Sequence, residues 1–211
     1  MTPIVRETGG VQQGSLLGRH GVAAVTLLAT GCYATLRYNV FGSVPWSQLP
    51  LLILGKAAAW ASVLLLLAAA WRTLRPHPVR LAGRYATQGA ALAGVHLLVS
   101  LSLQGPASFP SLYDPGGTPT LRGSLALVAG ILAMTALLGA PRTGPRGAFL
   151  PALVVAHCVA IGGPGWLQPA AWPGHLVPIS LLSCLAAAGL LGVRLVSWRR
   201  SLNGPRPPAA P

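Results

Sequence analysis

Six long apolar runs alternate along this chain with short segments rich in arginine, proline and glycine. The runs cover residues 20–37, 49–71, 85–104, 121–140, 147–163 and 175–197. Each holds about 17–23 residues, the length a helix needs to cross the hydrocarbon core of a bilayer. The ten-residue alternating strands of a closed membrane barrel, the other way to span lipid, are absent. The pattern therefore predicts an all-α integral membrane protein, a six-transmembrane helix bundle over residues 19–198. A polar, Gly-rich segment precedes it (1–18) and a Pro-rich tail follows (199–211). The leading segment has no apolar core, so no cleavable signal peptide is expected. Pro151 and Pro178 predict kinks in the fifth and sixth runs, although Pro178 falls in a first turn, where proline is tolerated. No internal repeat of the kind that builds transporters is evident.

Composition agrees with a membrane class: 53% of residues are hydrophobic and only 8% charged. The charge is one-sided, with 15 Lys or Arg against two Asp or Glu. A nucleic-acid partner would need a basic face interleaved with polar surface, whereas these arginines sit in the gaps between apolar runs. They concentrate before the first run (Arg6, Arg19), after the second (Arg72, Arg75, Arg80, Arg84), after the fourth (PRTGPR, 141–146) and in the tail (Arg199, Arg200). The other three connections hold almost none, and Arg37 and Arg122 stand at helix ends. By the positive-inside rule both termini are cytoplasmic. Trp46, Trp166 and Trp172 would mark the outer interface, and Trp71 and Trp198 the inner one. Scarce lysine with abundant Ala, Gly and Pro fits a GC-rich bacterial source, so the expected location is a bacterial inner (cell) membrane, multi-pass. Cys32, Cys158 and Cys184 lie in apolar runs without CxxC spacing, which predicts free thiols rather than disulfides or a zinc site.

The candidate chemistry lies in two histidines. His96 is 12 residues past Arg84, and His157 is 11 past Arg146, on helices running the same way. At a helical rise both rings lie about 17–18 Å into the membrane, slightly past its middle. An intramembrane histidine is costly, which makes function the first hypothesis. Two at one depth can hold a single metal centre, and a haem iron takes two axial imidazoles. Gly89, Ala93 and Ser100 share a helical face with His96, as Val154 and Ala160 do with His157. Those small neighbours leave room for a flat ring, or else simply tighten helix packing. Cys158 adjoins His157 but points about 100° away, since 3.6 residues make a turn.

Six helices with a histidine on the third and another on the fifth, in AGVHLLVSLSL and LVVAHCVAIGG, resemble the ferric reductase-like transmembrane domain superfamily. That group includes the NADPH oxidase core, the six-transmembrane metalloreductases and the haem-binding membrane subunit of bacterial methionine sulfoxide reductase systems. LRYNVFGSVPW followed by LGKAAAWA is also similar to small bacterial members. The resemblance implies one haem b, with His96 and His157 as the axial ligands of its iron. Two-haem members carry a second histidine 13–14 residues from each first one. Here the inner positions are Ala82 or Gly83 and Thr143 or Gly144, and the position 13 beyond His157 is Ala170, so one haem is expected. No flavin or nicotinamide site follows the bundle, so electrons would come from a quinol or a separate reductase protein and pass to an acceptor at the outer face.

Lys56 lies roughly 24 Å above the inner face, some 6 Å above the histidines, and Arg37 ends the first helix near the same level. Either these cations pair with haem propionates or they snorkel to headgroups. His20 and His77 belong to the inner face. His175, at the start of the sixth run, with Asp114 makes a thin candidate for an external metal site. The alternative to a membrane b-type cytochrome is a haem-free scaffold or assembly subunit whose histidines only join helices. A transporter is disfavoured because neither acidic residue, Glu7 or Asp114, lies in a run.

Overall fold

A computed structural model describes residues 16–75, 79–139 and 146–203. Arg6, His77, Arg142, Thr143, Gly144 and the tail beyond residue 203 lie outside the described residues. Six long helices carry the fold: α1 (Leu16–Thr35), α2 (Leu54–Thr73), α3 (Val79–Ser102), α4 (Leu121–Gly139), α5 (Arg146–Trp166) and α6 (Ile179–Asn203). Between α1 and α2 the chain passes through two π-helical turns, Leu36–Val40 and Leu49–Ile53, with a 3-10 turn at Trp46–Gln48. Two further 3-10 turns, Pro169–Ala171 and Pro173–His175, precede α6. There is no strand among the described residues.

Four helical stretches are long and apolar enough to cross a membrane: Trp46–Thr73, Leu121–Gly139, Gly147–Trp166 and Pro173–Leu202. Such a set belongs to a multi-pass membrane protein. α1 and α3, at 20 and 24 residues, are of similar length but are not among these four.

The helices follow the expected runs, with three instructive shifts. α3 starts at Val79 rather than 85, so Arg80 and Arg84 stand on its first turns instead of in a loop. α6 starts at Ile179 rather than 175. Pro178 lies just ahead of it, its carbonyl accepting from the Leu181 and Leu182 amides, so it begins the helix and does not kink it. α5 runs on to Trp166, past Pro164 and beyond the expected end at 163.

Small residues set the packing order. α2 is the hub, in contact with α1, α3 and α6, and it buries Gly55, Ala57, Ala58, Ala61, Ser62 and Ala70. Without lipid-excluded apolar surface to drive association, helices in a bilayer gain from such close backbone approach. Gly89 of α3 meets α2 so closely that a Cβ there would lie 3.0 Å from Leu66 and 3.1 Å from the Ser62 carbonyl. From α2 the order continues through α6 and α5 to α4, and α3 and α4 approach each other at only a few positions. The bundle is therefore an open C whose tips are α3 and α4, with α1 outside α2.

Loop 103–120 joins the two tips. Tyr113 donates to Gln104 Oε1 at one end, and at the other the Leu112 carbonyl accepts from both the amide and the hydroxyl of Thr120. Gly123 lets Leu112 lie against α4, because a Cβ there would overlap the Leu112 carbonyl.

Candidate functional site

His96 on α3 and His157 on α5 face each other across the inside of the C. Their ring centroids are 6.4 Å apart and the planes are inclined by 77°. Each ring is held by a backbone carbonyl of a neighbouring helix. His96 Nδ1–H donates to Gly55 O of α2 at 3.0 Å, with Ser100 Oγ 3.2 Å from the same nitrogen. His157 Nδ1–H donates to Ala126 O of α4 at 2.7 Å. A carbonyl only accepts, so in each neutral imidazole the proton sits on Nδ1 and the lone pair on Nε2. That is the tautomer in which a histidine ligates a metal through Nε2, with its other nitrogen held by an outer-shell acceptor.

Two glycines make this geometry possible. A Cβ on Gly55 would lie 3.0 Å from Val99 Cγ1, so glycine there eases the close approach of α3 at which His96 reaches the Gly55 carbonyl. A Cβ on Gly130 would lie 3.0 Å from His157 Nδ1 and 3.1 Å from its Cε1, so glycine there leaves room for that edge of the ring beside α4.

Both rings line one cavity of about 650 Å³ between α2 and α3 on one side and α4 and α5 on the other. That volume lies within the roughly 300–1,000 Å³ of small-molecule and cofactor sites. Loop 103–120 also lines it, through Phe109 and Tyr113, and the connection before α6 does so through Trp172. The wall is mostly apolar but includes three cations, Arg37, Lys56 and Arg122. Arg37 is only 5% exposed, and its Nε and Nη1 have no hydrogen-bond partner. Its guanidinium lies 5.5 Å from the Tyr38 ring centroid, and Lys56 Nζ lies 4.4 Å from the same centroid. Both cations therefore lie against the Tyr38 ring, which favours each of them but neutralises neither. Arg37 and Tyr38 belong to the π-helical turn at Leu36–Val40, a local geometry common at functional sites.

The described residues fit a bis-imidazole tetrapyrrole. The orphaned Arg37 guanidinium and the Lys56 ammonium are donors suited to carboxylates at the cavity edge. No group of three or more His, Cys, Asp or Glu that could hold a bare ion stands among the described residues.

Several expected details fall differently. Gly89, read as space for a flat ring, packs against Ser62 and Leu66 of α2 instead. Ala93 and Val154 do line the cavity, whereas Ala160 contributes its carbonyl to Arg122. Lys56 follows Gly55, whose carbonyl accepts from His96, and its Nζ reaches the Tyr38 ring. Cys158 reaches the cavity wall, and all three cysteines are free thiols. His20 and His175 are both exposed, and His175 adopts a left-handed backbone (φ 56°) before α6. Asp114 is occupied by its own turn, accepting from the Thr118 amide at 2.9 Å and from the Thr118 hydroxyl. Those bonds hold its carboxyl below the usual aspartate range. At the positions of a second haem, Ala82 is buried against its neighbours, while Gly83 and Ala170 are exposed.

In the sequence Arg122 reads as a charge at a helix end. It lies inside the bundle, donating to the Ala160 and Ile161 carbonyls of α5. The roles of Gly55, Ala126 and Gly130 are not expected from the sequence either, and Gly130, a glycine in the middle of an apolar run, is the one available signal. The chain matches no family model and no curated protein.

Proposed function

We propose that this protein is a six-span membrane b-type cytochrome with one haem held between His96 and His157. The observation that carries this reading is the paired geometry: two rings facing across an apolar cavity, each with Nδ1 tied to a carbonyl and Nε2 left as a lone-pair donor. When bound, the haem supplies a one-electron carrier near mid-membrane. The protein's part is to hold both imidazoles in one tautomer, exclude water with an apolar wall and present Arg37 and Lys56 to the two propionates. The lengths of all six helices, 19 to 25 residues, support six crossings, because α3 is shielded along much of its length by α2 and need not match the apolarity of a lipid-facing helix. The arginine distribution then puts both termini in the cytoplasm of a bacterial cell.

In this reading a quinol or a separate reductase protein supplies electrons and an acceptor at the outer face receives them, as in ferric reductase-like domains. The chain is then the membrane electron-transfer component of an oxidoreductase. A second reading has its own observation: each histidine makes the interhelical hydrogen bond expected of a structural residue in a haem-free scaffold. A reduced-minus-oxidised difference spectrum of the purified protein decides between them. Low-spin haem b bands are expected, and their absence from haem-replete preparations overturns the cytochrome.

A further inference from the structure

Arg122, half-buried in the first turn of α4, lines the cavity, and no acidic side chain meets it among the described residues lining that cavity. An intramembrane arginine is expensive unless its donors are used. Here they are: Nε donates to Ala160 O and Nη2 to Ile161 O, both on α5. The reason the first of those carbonyls needs a donor lies one turn further along the same helix. Pro164 lies inside α5 and has no N–H, so Ala160 O loses the bond that residue 164 would otherwise supply. In lipid such a freed carbonyl must be satisfied by a neighbouring side chain.

The same face of α4 handles the preceding turn of α5. Arg122, Ala126 and Gly130 are spaced i, i+4, i+8 and so form one stripe. The first holds the carbonyls one turn beyond His157, the second accepts from His157 Nδ1, and the third leaves room beside the ring. We infer that Arg122 is a positioning residue for His157: by replacing the helical bond that Pro164 removes, it locks α5 against α4 at the register in which His157 reaches Ala126.

This rests on the haem reading only for its haem readouts, so the test carries one readout that does not need haem. Protein labelled with ¹⁵N-histidine in lipid, without haem, reports the tautomer and hydrogen bond of His157 through its ring nitrogen shifts. Arg122→Met is expected to shift or split the His157 Nδ1 resonance and leave that of His96 in place. In the loaded protein it should weaken haem retention by about ten- to a hundredfold, the range for losing a residue that orients a metal ligand. Arg122→Lys, with one compact donor, should recover part of this. Pro164→Ala returns an N–H to α5, so the double variant Arg122→Met/Pro164→Ala should regain the wild-type His157 shift and most of the haem.

An unchanged His157 signal in Arg122→Met overturns the inference. So does a double variant no better than the single, which would mean that Arg122 acts through its charge. If Arg122→Met fails to fold, the double variant decides alone: a restored fold and His157 shift support the inference, and continued failure overturns it. Wild-type protein that never binds haem sinks the cytochrome, while the ¹⁵N comparison still decides Arg122.

Discussion

His96 and His157 face one another with ring planes 77° apart, although the helices that carry them, α3 and α5, are not packed together. Near-perpendicular axial imidazoles leave the two π-bonding d orbitals of a low-spin ferric haem almost degenerate. If the proposed haem binds with both rings as they lie here, the oxidised protein should give a strongly anisotropic low-spin electron paramagnetic resonance signal, not the rhombic signal of parallel planes. His96→Ala and His157→Ala should each abolish haem binding while the protein still inserts. Full haem in both variants would remove the two histidines from the site.

Gly130→Ala places a methyl 3.0 Å from His157 Nδ1. The ring has to move off Ala126, at about the 1–3 kcal/mol typical of overpacking. Haem retention should fall, and fall further for Gly130→Val. Gly94, on α3 close to His96 in sequence, has nothing within 4 Å of an added Cβ, so Gly94→Ala is the matched control and should behave as wild type.

Lys56→Met and Arg37→Met each delete a cation from the cavity wall. A nearby positive charge favours the reduced, more electron-rich haem, so each change should lower the midpoint potential. Arg37→Met should also lower haem retention, since its Nε and Nη1 have no protein partner to compensate. Unchanged potential and haem content in both would make these cations structural, balanced by Tyr38 alone.

A reporter active only outside the cell membrane should be silent when fused after Pro211 and active when inserted in loop 103–120 near Asp114. The opposite pattern would invert the expected topology and, with it, the proposed direction of electron flow.

Asp114 is the chain's one aspartate, so a ¹³C-aspartate label gives a single carboxyl signal. Thr118 holds that carboxyl below its ordinary value. The turn's stabilisation is therefore present above the ordinary aspartate range and is lost as pH falls through the lowered value. Thr118→Val should move the titration back up. An unmoved titration curve would mean that the amide contacts alone hold it.

What is legible in the sequence follows from where the information lies. Histidines and cations in apolar runs stand out against their background, so His96, His157, Lys56 and Arg37 can be picked out as candidates, and so can the helical class. The acceptors that orient the rings cannot, because the Gly55 and Ala126 carbonyls are backbone groups that every residue carries. Arg122 looks like a marker of a helix end, since its use depends on a proline 42 positions away on another helix. Gly89 and Gly130 read alike as small residues in apolar helices, yet one closes the α2–α3 contact and the other makes room for an imidazole. The early start of α3 is hidden for a similar reason: arginines suit a membrane loop and a helix's first turns equally well.

The open C formed by the helices has a consequence for biogenesis. Its two tips, α3 and α4, are consecutive in the chain and joined by loop 103–120, which is pinned at Gln104 and at Thr120. Few helix contacts cross the gap between the tips, so the loop is a tether between its two sides. If the proposed haem enters after the helices have been threaded into the bilayer, the gap between the tips is its way in, and the loop is the strap across it. Shortening that strap should close the gap to late entry, and lengthening it should let a bound guest escape, with no change to any residue that touches it.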